Sequence, residues 1–267
     1  MQPIIQSLWI GRPLSLLERL SITSFLQAGH EYHLYCYEEI EGVPPGVTLR
    51  AAAEILPAAE IFYYRKAEGK GSVAAFANWF RYKLLLERGG WWCDTDVICV
   101  RPFDFEEDAI CASERTENGG QQIATSVIRL PAGHPAAREC CRIAAEKRRN
   151  KLNWGETGNP LLHEVVRKCP EPPPTKSPEV FCPVNWWEWQ SLLREDNRTL
   201  ADIITAETRA IHCWHEMWRR TRVEMKIGGA QPCSFPDWLR PFGKKAGADI
   251  SPSSLLAGLL RQNGVLP

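Results

Sequence analysis

Two aspartates separated by one residue offer the clearest chemistry in this 267-residue sequence. Asp94 and Asp96 stand at the head of an apolar run, Val97 to Val100, that is typical of a buried strand. Because strand side chains alternate between faces, we expect the two carboxylates to project from one face, with Cα atoms roughly 6.5 to 7 Å apart. Carboxylates at that spacing can share one ligand that carries a cation.

The segment before the aspartates predicts a helix that ends at two glycines. Ser72 can cap its start, and Gly89-Gly90 can end it through a residue in the left-handed conformation. Asn78 and Arg81 share one face of this helix, while its aromatic residues and leucines supply packing surface. Consecutive elements therefore deliver a polar pair and an acidic pair to one neighbourhood.

The first forty residues predict a β-α-β unit, with a capping box at Ser15-x-x-Glu18 opening the helix. Such a unit implies parallel strands, and ligands bind beyond the carboxyl ends of parallel strands. This places Trp9 and Gly11 at a candidate binding edge. Two further stretches predict helices, Arg50 to Glu60 and Leu192 to Ile204.

The composition excludes some classes of function. The 32 basic and 32 acidic residues cancel, which argues against nucleic acid as a partner. The ten cysteines are scattered, so we expect free thiols in a reducing compartment. No apolar run reaches the roughly 18 residues of a transmembrane helix. The sequence therefore predicts a cytoplasmic protein, with at most peripheral contact with the inner membrane.

The combined motifs resemble the DXD-type nucleotide-sugar glycosyltransferases of GT-A fold, the bacterial polysaccharide type, which is distantly similar to glucosylating toxins. The stretches that carry the resemblance are Leu8 to Gly11, Phe76 to Arg81, Asp94-Thr95-Asp96, Gly155 to Gly158, and Ala210 to Trp214. The resemblance implies a single α/β domain with a mainly parallel nucleotide-binding sheet flanked by helices. Residues 1–105 would form the nucleotide-sugar half, 106–240 the acceptor-side half, and 241–267 a peripheral segment.

The resemblance also implies roles for individual residues. Asp96 would bind Mn²⁺ or Mg²⁺, hard cations that suit oxygen ligands. Asp94 would hold the ribose or the donor sugar, with a contact to the metal through water, and His212 would complete the metal site. Arg81 would contact the donor sugar or its phosphate and act with the two aspartates in catalysis. His215 is assigned a structural role.

Further residues are expected on both substrates. The remaining donor-side residues are Trp9, Gly11, Phe76, Asn78 and Tyr82, and the acceptor-side residues are Glu156, Thr157 and Trp214. Asn78 stands where the family usually has an aspartate, so it loses a charge while keeping an acceptor, and donor identity stays open. The expected donor is a UDP-sugar, with a GDP-sugar as the alternative. The expected acceptor is a saccharide or a lipid-linked saccharide.

The sequence thus predicts a metal-dependent hexosyltransferase that acts with retention of anomeric configuration, as the family does, in the synthesis of a surface polysaccharide or glycolipid. One alternative is a non-catalytic module that binds sugar nucleotides. Another is a phosphatase of the haloacid dehalogenase type, which the run from Asp94 to Val97 also resembles. That chemistry needs a nucleophilic aspartate after a strand and a later acidic pair, for which Glu195-Asp196 is the candidate.

Overall fold

A six-stranded sheet forms the centre of this computed structural model. The structure describes residues 2–11, 13–65, 69–148, 152–194, 199–221 and 253–265. The strands are β1 (Ile5–Trp9), β2 (Tyr32–Cys36), β3 (Val47–Ala51), β4 (Gly90–Cys93), β5 (Val97–Cys99), β6 (Ile110–Arg115), β7 (Gln121–Leu130) and β8 (Ala210–His212). The helices are α1 (Leu16–Gln27), α2 (Ala74–Glu87), α3 (Pro135–Lys147), α4 (Asn159–Arg167), α5 (Pro178–Phe181), α6 (Leu200–Ile203), α7 (His215–Thr221) and α8 (Leu255–Gln262).

The strand order is β3-β2-β1-β4-β7-β6, and β5 and β8 form a separate two-stranded sheet. The pairs β1–β2, β2–β3 and β1–β4 are parallel, whereas β7 runs antiparallel to both β4 and β6. The predicted α/β fold with a mainly parallel central sheet is confirmed. The predicted β-α-β unit is present as β1-α1-β2, and the capping box between Ser15 and Glu18 opens α1.

Helices cover both faces of the central sheet, as β4 shows most directly. Trp91 and Trp92 are neighbours on this strand, so their side chains point to opposite faces. Trp91 packs in the hydrophobic cluster that includes α1, and Trp92 packs in the cluster formed with α2, α3 and α4. Both indoles are almost fully buried. A strand that is buried on both faces holds its carboxyl end rigidly, and that end leads directly into Asp94.

Two of the predicted helices are wrong. Residues 50–60 contain the end of β3 and two short 3-10 helices, Ala52–Glu54 and Ala58–Glu60, because Pro57 lacks the amide that a continuous helix needs. The stretch Leu192 to Ile204 holds the end of a 3-10 helix, Trp186–Leu192, and then α6. A capping box at Thr199 begins α6 as a new element.

Some predicted features fall partly outside the described residues. Glu195-Asp196 lies outside them, and of the expected peripheral segment only residues 253–265 are described, including the amphipathic helix α8. Within the described ranges, nine cysteines are free thiols. Among the helices described, none combines the length and apolar character needed to cross a membrane.

The turn between α2 and β4 depends on a glycine, and this gives a first prediction. Gly89 has φ +65°, and a Cβ there would stand 2.4 Å from the amide nitrogen of Ala132. Gly133 has a similar φ of +79° with nothing within 4 Å of its Cβ position. We expect Gly133→Ala to cost about 1 kcal/mol of unfolding free energy and Gly89→Ala at least about 2 kcal/mol, measured by urea denaturation. Equal losses would show that the backbone conformation alone, without the contact, sets the cost.

Candidate active site

A cleft lies at the carboxyl ends of β1 and β4, the edge at which parallel strands are expected to bind ligands. Its volume is about 220 Å³. It is lined by Leu8, Trp9, Ile10, Ser72, Val73, Ala74, Ala77, Arg81, Trp92, Asp94, Thr95, Asp96, His215, Glu216 and Arg219. Four residues singled out from the sequence, Trp9, Arg81, Asp94 and Asp96, therefore line one cavity.

The two aspartates lie in a turn, so the strand geometry predicted for them is wrong. β4 ends at Cys93 and β5 begins at Val97, whose amide donates to the carbonyl oxygen of Asp94 at 3.1 Å. The chain turns here because β4 belongs to the central sheet and β5 to the two-stranded sheet. The turn nevertheless presents both carboxylates to the cleft.

Asp94 is held by two donors that meet at one of its oxygens. Arg81 Nη2 lies 2.9 Å from Asp94 Oδ1, and Trp92 Nε1 donates to the same oxygen at 2.8 Å. The guanidinium of Arg81 also lies 4.9 Å from the centre of the Trp92 ring and donates to the carbonyl of Thr125. Burial raises the pKa of Asp94, although the Arg81 cation opposes that shift. These contacts fix the rotation of the carboxylate.

Asp96 is held by residues late in the chain. Its Oδ2 accepts a hydrogen bond from the main-chain amide of His215 at 2.8 Å and lies 3.4 Å from His212 Nε2. Burial alone would raise the pKa of Asp96, but the two histidines outweigh burial and hold this pKa well below its usual value. Asp96 is therefore ionised at neutral pH.

Three potential metal ligands meet beside the cleft. One ligand atom from each of Asp94, Asp96 and His212 lies within 4.8 Å of the others, and within the described residues this is the one such cluster. Two carboxylates and an imidazole suit Mn²⁺, and the carboxylates also suit Mg²⁺. Burial would lower the pKa of His212, yet Asp96 raises it well above the ordinary value. Because a ligating imidazole is neutral, metal binding here would be coupled to proton release.

The short sheet of β5 and β8 brings His212 to the aspartates. His212 pairs with Val97, the residue that follows Asp96, and the amide of Cys213 donates to the Asp96 carbonyl at 2.9 Å. Trp214 then adopts φ +58°, a rare conformation for a residue other than glycine. Its ring lies 4.0 Å from that of His212, and its Nε1 donates to the carbonyl of Val184. Trp214, expected on the acceptor side, thus packs against His212 and does not line the cleft.

Other predicted donor-side residues lie elsewhere. The side chains of Phe76 and Tyr82 are buried in the core, and neither lines the cleft. The Tyr82 hydroxyl donates to the carbonyl of Thr157 at 3.0 Å, and Asn78 Nδ2 lies 3.5 Å from the Thr157 hydroxyl. The side chains of Asn78 and Tyr82 therefore contact the loop that holds Thr157.

Two further predicted residues flank this region. Gly11 follows β1 with φ +124° and is not part of the cleft wall. Glu156 forms an ion pair with Lys147 and accepts a hydrogen bond from the main-chain amide of Asn153 at 2.9 Å. These contacts hold the loop that precedes α4.

The sequence reasoning missed one wall of the cleft, which α7 supplies. His215, assigned a structural role from the sequence, lines the cleft together with Glu216 and Arg219. Glu216 and Arg219 form a two-pronged ion pair, with Arg219 Nε 2.7 Å from Glu216 Oε2. Burial would lower the pKa of His215, and Glu18, whose Oε1 lies 2.9 Å from Nδ1, raises it instead. The four-residue spacing of His215 and Arg219, one helical turn, was the available signal.

Comparison with known proteins agrees with this geometry. The glycosyltransferase sugar-binding region containing DXD motif matches residues 54–117, and the alpha 1,4-glycosyltransferase conserved region matches residues 130–231. The lactosylceramide 4-alpha-galactosyltransferases of Pan troglodytes and Homo sapiens are each 23% identical to the chain over 206 residues, which are 72% of this chain and 55% of each relative. The chain thus spans about half the length of these relatives.

Two solved structures resemble the chain at a lower level. The PaToxG glycosyltransferase superposes with a TM-score of 0.48 at 16% identity, over 63% of this chain and 69% of that chain. A structure described as a transferase superposes with a TM-score of 0.39 at 10% identity, over 62% and 84%. The two family matches are the stronger finding. The sugar-binding region spans the Asp94-Thr95-Asp96 turn, and the alpha 1,4-glycosyltransferase conserved region reaches past His212 and α7. The chain thus carries a glycosyltransferase sugar-binding region with its DXD motif and an alpha 1,4-glycosyltransferase conserved region.

Proposed function

We propose that this chain is a metal-dependent glycosyltransferase that moves a sugar from a nucleoside diphosphate sugar to an acceptor hydroxyl. The observation that carries the proposal is the meeting of Asp94, Asp96 and His212, with ligand atoms within 4.8 Å of one another, beside the cleft that Arg81 lines. These residues come together from α2, from the turn after β4 and from β8. Their convergence from separate elements favours a binding site over a chance cluster of acids.

The residues divide into those that would hold a cation and those that would orient the donor. Asp94, Asp96 and His212 would hold Mn²⁺ or Mg²⁺, which when bound neutralises the negative charge that develops on a departing diphosphate. Arg81 places a buried positive charge at the cleft and fixes Asp94, so it would orient the donor sugar or its phosphate. Trp9 supplies an aromatic wall for the nucleotide.

The proposed donor is a UDP-sugar, with a GDP-sugar as the alternative, and the proposed acceptor is a saccharide or a glycolipid. The acceptor proposal draws support from the relatives, which are named for transfer to lactosylceramide. Retention of anomeric configuration is proposed from the family resemblance alone. The loop with Glu156 and Thr157, fixed by Tyr82 and Asn78 of α2, would lie on the acceptor side.

The phosphatase alternative gains one feature from the structure and loses another. Asp94 directly follows β4, as a nucleophilic aspartate of that class would. However, Asp94 Oδ1 contacts the Arg81 guanidinium and accepts a hydrogen bond from the Trp92 indole. The chain also carries the sugar-binding sequence region of glycosyltransferases. A carboxylate engaged in an ion pair with a buried arginine is poorly suited to attack phosphorus.

Calorimetric binding of a panel of UDP- and GDP-sugars, with and without Mn²⁺, tests the proposal. We expect at least one donor to bind, with affinity that falls when the metal is chelated, and to be hydrolysed slowly in the absence of acceptor. Binding without hydrolysis or transfer would favour the non-catalytic sugar-nucleotide module. Failure of every donor to bind would overturn the proposal, and hydrolysis of an aryl phosphate would favour the phosphatase.

A further inference from the structure

Helix α1 carries a buried polar stripe that points at the metal-binding region. Glu18, Ser21 and Ser24 are spaced three residues apart, so they share one face of the helix, and each is almost completely shielded from solvent. The Ser21 hydroxyl donates to the carbonyl of Val97 at 2.6 Å, and the Ser24 hydroxyl accepts from the amide of Cys99 at 2.8 Å. Two of the three side chains therefore anchor β5, the strand that follows Asp96.

The third residue of the stripe, Glu18, has a charge that the helix itself does not need. Its Oε2 accepts from the main-chain amide of Ser15 at 2.8 Å, which completes the capping box. A glutamine serves equally well at that position of a capping box. A fully buried carboxylate is costly unless a cation or several donors compensate it. The partner that compensates the charge is the His215 imidazole, whose Nδ1 lies 2.9 Å from Glu18 Oε1.

His215 connects this buried charge to the metal-binding carboxylate. Its main-chain amide donates to Asp96 Oδ2 at 2.8 Å, and its side chain lines the cleft. Residue 215 directly follows Trp214, whose positive φ turns the chain at this point. The imidazole contact to Glu18 therefore fixes one side of residue 215 while its amide fixes Asp96 on the other.

We propose that Glu18 is a positioning residue for the metal site, acting through His215 to hold both the cleft wall formed by α7 and the carboxylate of Asp96. This inference rests on the proposed function, since it assumes that Asp96 binds a cation. Without the carboxylate, the His215 ring loses its anchor, and the amide that orients Asp96 becomes less constrained. Residues that contact metal ligands without touching the metal typically change metal affinity by about 10- to 100-fold when they are replaced.

Two variants separate this role from simple helix capping. Glu18→Gln keeps a side chain that fits the capping box but removes the charge facing His215. Ser15→Ala removes the hydroxyl that accepts from the Leu17 amide, and so weakens the same helix start without touching His215. Titration of Mn²⁺ alone into each protein, followed by calorimetry, measures metal affinity. Thermal unfolding of each protein measures stability.

We expect Glu18→Gln to weaken Mn²⁺ binding by about tenfold or more and Ser15→Ala to leave it unchanged, with comparable melting temperatures for the two variants. Nitrogen-resolved NMR of the imidazole should show a solvent-protected Nδ1 proton on His215 in the wild type and its loss in Glu18→Gln. Wild-type metal affinity or an unaltered Nδ1 signal in Glu18→Gln, or an equal loss of affinity in Ser15→Ala, would overturn the inference. If the wild type itself binds no Mn²⁺, the proposed function fails, and the metal role of Glu18 is overturned with it even where the NMR signal is as expected.

Discussion

Replacing Asp96 with asparagine is expected to reduce Mn²⁺-dependent hydrolysis of the donor sugar nucleotide by at least ~100-fold. The substitution removes the negative charge that would hold the cation. It keeps an amide oxygen that can still accept from the His215 amide, so the turn and the fold should survive. The measurement is the initial rate of donor hydrolysis at saturating Mn²⁺, together with the melting temperature of the variant.

A matched control makes this result specific. Asp108→Asn is the same chemical change at a side chain that is 91% exposed and lies 3.6 Å from Arg129 on the surface. We expect Asp108→Asn to hydrolyse the donor at the wild-type rate. Turnover by Asp96→Asn equal to that of the wild type would show that Asp96 does not bind the metal, and the proposed chemistry would have to be withdrawn.

Replacing Arg81 with methionine is expected to lower the free energy of unfolding by about 2 kcal/mol or more, below the ~3 to 5 kcal/mol of a fully buried ion pair because the Asp94 side chain is 23% exposed. Arg81 is nearly buried and contacts both Asp94 Oδ1 and the carbonyl of Thr125, so methionine would leave two polar groups uncompensated. Chemical denaturation measures the loss. Donor hydrolysis should fall as well, because the Asp94 carboxylate would no longer be fixed.

A double-mutant cycle tests whether the loss comes from the ion pair. Adding Asp94→Asn to Arg81→Met should recover part of the lost stability, because a neutral amide costs less to bury than a lone carboxylate. Arg142→Met, which removes an exposed arginine from the ion pairs on α3 with Glu139 and Glu146, should change stability little. Purely additive losses in the double variant would mean that Arg81 stabilises the fold by packing and not through Asp94.

Local patterns in the sequence predicted where α1 begins and where α2 ends. The capping box at Ser15 and Glu18 opens α1, and the glycine at position 89 does end α2, because both signals act within one helical turn. The grouping of Asp94, Asp96 and His212 was predicted from the family resemblance, and the structure brings the three together.

Local sequence patterns could not predict the features of the site that depend on tertiary structure. The aspartates were expected in a strand, but the change from one sheet to another forces a turn, and sheet membership has no local signal. Phe76 and Tyr82 lie next to the polar residues of α2, yet helical geometry turns them into the core. The contact of Glu18 with His215 joins distant parts of the chain, and a capping-box glutamate gives no sign of a second partner.

The pairing of β5 with β8 also sets the order in which the site can be completed. Asp94 and Asp96 precede most of the chain, whereas His212 and the amide of His215 come near its end. Closing so long a loop is entropically costly and slow compared with forming α2 or the β1-α1-β2 unit. During synthesis, a partly emerged chain would hold both aspartates without their third ligand. In the proposed metal site, full affinity would therefore arise only when the segment that carries His212 and His215 has docked, so metal binding would report that this part of the fold is complete.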